Sequence, residues 1–98
     1  MKLEFHDLAK AEVSKSMLYY ESEQSNLGDE FLDEIEKAID LIKLYPLAWP
    51  SVGLQVRAIQ TKRFEYRIFY RIYEDVVYIV AVSHCAQKPL YWIDRLNS

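Results

Sequence analysis

The stretch Lys62-Arg63-Phe64-Glu65-Tyr66-Arg67-Ile68-Phe69-Tyr70-Arg71-Ile72-Tyr73, followed closely by the β-branched run Val76 to Ser83, decides how this chain folds. Phe64, Tyr66, Ile68, Tyr70 and Ile72 share one parity, and Glu65, Arg67, Phe69, Arg71 and Tyr73 share the other. That period of two is the mark of a strand with unlike faces, one apolar and one carrying cations between aromatic rings. Arginines at this spacing can grip phosphate oxygens or carboxylates through two parallel hydrogen bonds, with Tyr and Phe rings beside them as stacking surfaces. An ordinary outer sheet face has the same pattern, so periodicity alone leaves both readings open.

Working outward, Glu74-Asp75 reads as a tight turn between strand 64–73 and strand 76–83, and Gln55 to Thr61 alternates as a strand before them. The three form an antiparallel meander. Pro46-Leu47-Ala48-Trp49-Pro50-Ser51-Val52-Gly53 reads as a connecting loop. Upstream the period changes. Ala9, Val13, Met17 and Tyr20 recur every three or four residues, as do Leu27, Phe31, Ile35, Ala38, Ile39, Ile42 and Tyr45, which predicts helices over 6–24 and 26–45. His6 or Asp7 can cap the first, Ser25-Asn26 the second, and Pro46 stops it. A connection this short folds the helices into an antiparallel hairpin. Leu3 and Phe5 suggest a first strand that adds to the sheet. The expected class is α+β: one domain over 1–98, with an antiparallel sheet of three to four strands and the hairpin on one face.

Composition limits the function. With 98 residues and 51% apolar content the chain can bury a core without a metal or disulfide staple. Cys85 stands alone, so there is no disulfide and no metal-binding Cys/His signature, and no cofactor is implied. The opening residues are too charged for a signal peptide, and no run is long enough to span a membrane, so a cytoplasmic location is expected. The net charge is −3, but it is unevenly placed. Residues 1–50 carry five lysines against eleven acids, net −6, whereas residues 51–98 carry seven Lys/Arg against four acids, net +3. The cations sit with the strands, where local sign matters more to an anionic partner than the total.

An ordered set of segments now resembles a known family. Tyr19-Tyr20-Glu21, Leu27-Gly28-Asp29-Glu30-Phe31, Tyr45-Pro46-Leu47-Ala48, Arg57, Arg63-Phe64 with Tyr66, Ile68-Phe69-Tyr70-Arg71, and finally His84, Pro89, Tyr91-Trp92 and Arg95 are similar, in the right order over nearly the full length, to the RelE/ParE superfamily of toxins from type II toxin-antitoxin systems. The resemblance implies a small toxin neutralised by a cognate antitoxin that wraps around it, with operator DNA reached only through that antitoxin. It also implies one of two targets. RelE-like members cut mRNA at the ribosome, and ParE-like members poison DNA gyrase without being nucleases.

Metal-free mRNA cleavage needs a cation to stabilise crowded phosphoryl oxygens and a group that moves protons. The resemblance aligns Arg67 with a strand arginine that serves this reaction and puts Tyr91 near a C-terminal tyrosine; His84 is a third candidate. Against the nuclease, Cys85-Ala86-Gln87-Lys88 stands where relatives carry one or two arginines, and Glu65 replaces a common proline. Lys88 supplies a point charge but not a planar fork. The His-Pro-Tyr-Trp spacing also sides with the ParE-like branch. Gyrase binding is therefore the favoured reading, mRNA cleavage the second, and an inactive member serving as an interaction module or co-repressor the third. Arg57, Arg63, Arg67, Arg71, Lys88 and Trp92 are the candidates for antitoxin or target binding, with Arg57, Arg67 and Arg71 expected on one antitoxin-binding side of the sheet. Each has a plainer reading. His84 suits a structural strand-end hydrogen bond, Tyr91 and Trp92 suit an anchor for the C-terminal turn, and Cys85 suits packing.

Overall fold

The computed structural model describes residues 1–97. In chain order it contains β1 (Lys2–Phe5), α1 (Asp7–Glu23), α2 (Leu27–Leu44), β2 (Ser51–Gly53), β3 (Val56–Gln60), β4 (Tyr66–Tyr73), β5 (Val76–His84) and a closing 3₁₀ turn (Ile93–Asn97). The α+β class and the helical hairpin on one sheet face are as the sequence predicts. The sheet is larger than expected and it is mixed. Its order is β1-β5-β4-β3-β2, with β1 parallel to β5 and the other pairs antiparallel. The extra strand, β2, comes from the segment read as loop. Leu54 and Gln55 both take positive φ, which turns Ser51–Gly53 back onto β3 as a two-residue hairpin without the usual Asn-Gly signal.

The decisive stretch is shorter as a strand than its alternation suggests. Phe64 and Glu65 have φ of 71° and 53°, left-handed values that end the extended backbone, so β4 starts at Tyr66. Thr61 fixes this corner: its amide donates to the Tyr66 carbonyl at 2.7 Å, and its hydroxyl accepts from the Tyr66 amide at 3.0 Å.

The hairpin is joined by one carboxylate. Asn26 occupies the N-cap position of α2 in a left-handed conformation, and its side chain makes no cap bond. Glu21 does so instead, accepting from the amides of Asn26 and Gly28 at 3.0 Å each. A Cβ at Gly28 would lie 2.7 Å from the Met17 carbonyl, so the close helix crossing requires glycine there. At α1 the cap is His6, whose Nδ1 accepts from the Leu8 amide at 3.1 Å.

Two cores result, one on each side of the sheet. On the helix side Phe31, Ile35, Ile39 and Ile42 meet Ile59, Tyr66, Ile68, Tyr70, Val77, Ile79 and Val82, with Val13 and Met17 half-buried against them. On the opposite side Val56, Phe69, Val80 and Ala81 are covered by Trp92. A bulge makes the second core possible. Phe69 pairs with Ala81 but Tyr70 pairs with Ile79, so β5 carries an extra residue at Val80 and turns both Val80 and Ala81 toward Trp92.

Candidate functional site

The side of the sheet away from the helices is not an open surface. Residues after β5 return across it, and Trp92, 1% exposed, stacks on Phe69 at 5.4 Å between centroids. Arg67 and Arg71 are four residues apart on this face, roughly 13 Å at strand rise, and the Trp92–Phe69 stack separates them. Arg67 lines a groove with Phe69, Ser83, His84, Lys88 and Trp92. Arg71 lines a different one, with Glu4, Tyr73, Tyr78 and Arg95. Among the described residues no carboxylate pairs with Arg67, Arg71 or Lys88. The structure therefore brings Arg67, His84 and Lys88 together and holds Arg71 apart.

One expected member of this face lies elsewhere, and a further binding candidate, Arg63, is engaged with α2. Arg57 pairs in register with Tyr70 and so projects on the helix side, where its Nη1 donates to the Trp49 carbonyl at 2.6 Å. Arg63, just before the left-handed turn at Phe64, is held against α2. Its guanidinium reaches Glu30 of α2 at 2.9 Å and lies 4.9 Å from the Phe64 ring centroid, while its amide donates to Glu34. Arg57 thus fastens the loop after α2 to the sheet, and Arg63 fastens the loop before β4 to the hairpin. The expectation that Arg57, Arg67 and Arg71 share one side of the sheet is thus corrected: parity puts Arg57 on the opposite side from the other two.

His84 is half-exposed, with one ring nitrogen hydrogen-bonded. Nδ1 accepts from the Ala86 amide at 3.0 Å, which places the proton of the neutral ring on Nε2, and Nε2 faces Glu65 at 4.0 Å. The imidazole thereby closes the turn after β5. Cys85 is half-buried in the wall of the Arg67 groove.

Tyr91 and Trp92 belong to a clasp that periodicity does not reveal. Beyond Phe5 the strand β1 ends, which leaves the β5 edge without a ladder partner past Ile79. Glu12 and Arg95 fill that gap. The Val82 amide donates to Glu12 Oε1 at 3.0 Å, and Arg95 Nη1 donates to the Val80 carbonyl at 3.1 Å. The two side chains form a fork-to-fork pair at 2.8 and 2.9 Å. Tyr91 completes the network by donating its hydroxyl to Glu12 Oε2 at 2.7 Å, with the Arg95 guanidinium 5.0 Å from its ring centroid. Burial, with the Glu12 carboxylate beside it, pushes the Tyr91 phenol up to about 12, and the same carboxylate holds Arg95 above its ordinary value. Neither Tyr91 nor Arg95 lines the Arg67 groove. Glu12 carried only one signal in the sequence: it is a carboxylate one residue before the apolar Val13, on the flank of a helix face that must pack.

As chemistry, the Arg67 groove offers two cations and an imidazole to an anion, without a second arginine. Among the described residues no three His, Cys, Asp or Glu side chains converge as a metal site. No helix there is long and apolar enough to cross a membrane.

Comparison with known proteins agrees with this architecture. In the chromosomal ParDE system of P. aeruginosa, one chain superposes with a TM-score of 0.62 at 16% identity, covering 86% of this chain and 95% of that one. A chain of the intact E. coli RelBE toxin-antitoxin complex gives 0.64 at 19% identity, covering 88% and 98%. The isolated E. coli RelE toxin gives 0.63 at 18%, covering 98% and 96%. At these identities the likeness is one of fold, and it extends to both branches. No curated protein matches the sequence. A family model does: that of the ParE toxin of type II toxin-antitoxin system, parDE, matches residues 3–89. The chain therefore belongs to the ParE toxin family of type II toxin-antitoxin systems.

Proposed function

We propose that the protein is a toxin that acts by binding, with DNA gyrase as its target, and that a cognate antitoxin neutralises it in the cytoplasm and carries it to operator DNA. One observation carries the choice of target. The hydroxyl of Tyr91, the candidate proton carrier for RNA cleavage, is bound to Glu12 at 2.7 Å and does not line the groove that holds Arg67 and His84. A phenol raised to about 12 and donating to a carboxylate is a poor base near neutrality. The sequence adds weight, because Ala86 and Gln87 stand where a second phosphate-gripping arginine is expected. Losing one such electrostatic donor commonly costs about 10²–10³ in rate.

The second reading, ribosome-dependent mRNA cleavage, is favoured by the convergence of Arg67, His84 and Lys88 on one groove. Parallel assays of the purified chain separate the two. Gyrase-dependent double-strand breaks without cutting of mRNA on programmed ribosomes are expected. Robust mRNA cutting that Arg67→Ala abolishes would put the nuclease first. Tight antitoxin binding with neither activity would identify an inactive interaction module.

A further inference from the structure

β1 ends the sheet on one side, and among the described residues no strand pairs with its outer edge. The Lys2 amide donates to the Asp75 carbonyl at 2.8 Å and the His6 amide to the Ile79 carbonyl at 2.9 Å, both toward β5. Alternate residues of a strand address the same neighbour, so Leu3 and Phe5 turn their N–H and C=O groups outward. Lys2, Leu3 and Glu4 are exposed, Leu3 at 37%. Such an edge is a template for another strand, and proteins usually blunt it with charge or proline. Here the two charges have opposite sign and sit two residues apart on one face. Leu3 and Phe5 lie on the other, beside a groove formed with Val13, Leu32, Ile35 and Ile39 and edged by charged residues of α2.

We propose that this edge pairs with a second copy of the chain, antiparallel about a two-fold axis through Leu3, joining two five-stranded sheets into one. Side-chain parity, charge and the length of β1 leave a single register. With Leu3 opposite Leu3, the outward amide and carbonyl of each leucine meet those of the other, and Lys2 faces Glu4 twice across the axis. Moving the axis by one residue sets Glu4 against Glu4 or Lys2 against Lys2. Moving it by half a residue sets Leu3 opposite a charged residue, which belongs on the other face of the sheet. An axis through Phe5 keeps the parity but leaves only Phe5 paired within β1, because the chain enters α1 at Asp7, so only the first arrangement matches the pleat, the charges and the length of the strand. The contact is isologous, as closed dimers require. A four-residue ladder buries little area, so the association is weak, and it belongs to the free chain whatever its target.

Sedimentation velocity of the purified chain from low micromolar to millimolar concentration tests this. A reversible monomer–dimer equilibrium is expected. Lys2→Glu and Glu4→Lys should each weaken it at least about tenfold by opposing like charges at two symmetric positions, and the double exchange K2E/E4K should restore it. Leu3→Pro should abolish it while leaving the β1–β5 ladder intact, since the Leu3 amide does not face β5; an unchanged melting temperature checks the latter. A monomer at every concentration would overturn the proposal, as would a dimer that neither single charge reversal weakens. Protection of the Leu3 and Phe5 amides only when an antitoxin segment is added would overturn it in favour of a foreign strand.

Discussion

The helix-covered face of the sheet and the face opposite it are both apolar at their centres, yet they are closed by different means. On the helix side, regular spacing supplies the cover: Phe31, Ile35, Ile39 and Ile42 recur along one face of α2 and are all buried. On the opposite side the cover is a short irregular segment with one large ring, Trp92, and it is held by the buried pair of Glu12 and Arg95. The cations divide accordingly. Arg57 and Arg63 are consumed in fastening loops on the helix side, whereas among the described residues no carboxylate pairs with Arg67 or Arg71, on either side of the Trp92 stack. The face closed by the smaller cover is the one that keeps charge available for a partner.

If each face depends on its own cover, truncations should separate them. The largest loss is expected from Trp92→Ala, about 3–5 kcal/mol, with Ile35→Ala at about 2–5 kcal/mol. Denaturant melts measure both, and hydrogen exchange should show the Trp92 variant loosening residues 80–82 before it affects α2. Next is Glu12→Ala. Its side chain and that of Arg95 are only 23% and 12% exposed, so stranding the guanidinium should cost about 3 kcal/mol. A loss below that of an exposed pair would show that the C-terminal segment docks without its clasp. The smallest effect belongs to the other ion pair. Arg63 and Glu30 are 55% and 44% exposed, and Arg63→Ala should change stability by no more than about 1 kcal/mol. Equal costs for Glu12→Ala and Arg63→Ala would erase the contrast between the two faces.

The sequence exposes the two faces unequally, for the same physical reason. Helix positions and the parity of β4 follow from periodicity, so the hairpin and the helix-side core could be read from residues such as Ile35 and Ile68. The bulge at Val80 left no such trace, because a β-branched run looks the same with or without an extra residue. The left-handed backbone at Phe64 and Glu65 was equally silent, since neither is a usual turn residue, and it is what removed both from the strand. Arg57 was misplaced because parity within β3 is visible in the sequence whereas its pairing with Tyr70 is not. The clasp joins residues 79 and 83 positions apart, Glu12 to Tyr91 and Arg95, a separation over which local pattern carries no information.

On the proposed function, Tyr91 belongs to the clasp and not to a reaction. Growth arrest after induced expression of Tyr91→Phe, compared with Arg67→Ala at equal protein level, tests this most directly. Tyr91→Phe removes one hydroxyl and keeps the ring, the Glu12–Arg95 pair and the Trp92 cover, so toxicity should persist, while Arg67→Ala should weaken it. A folded Tyr91→Phe protein that binds antitoxin normally but no longer arrests growth would contradict the account and assign the phenol to catalysis.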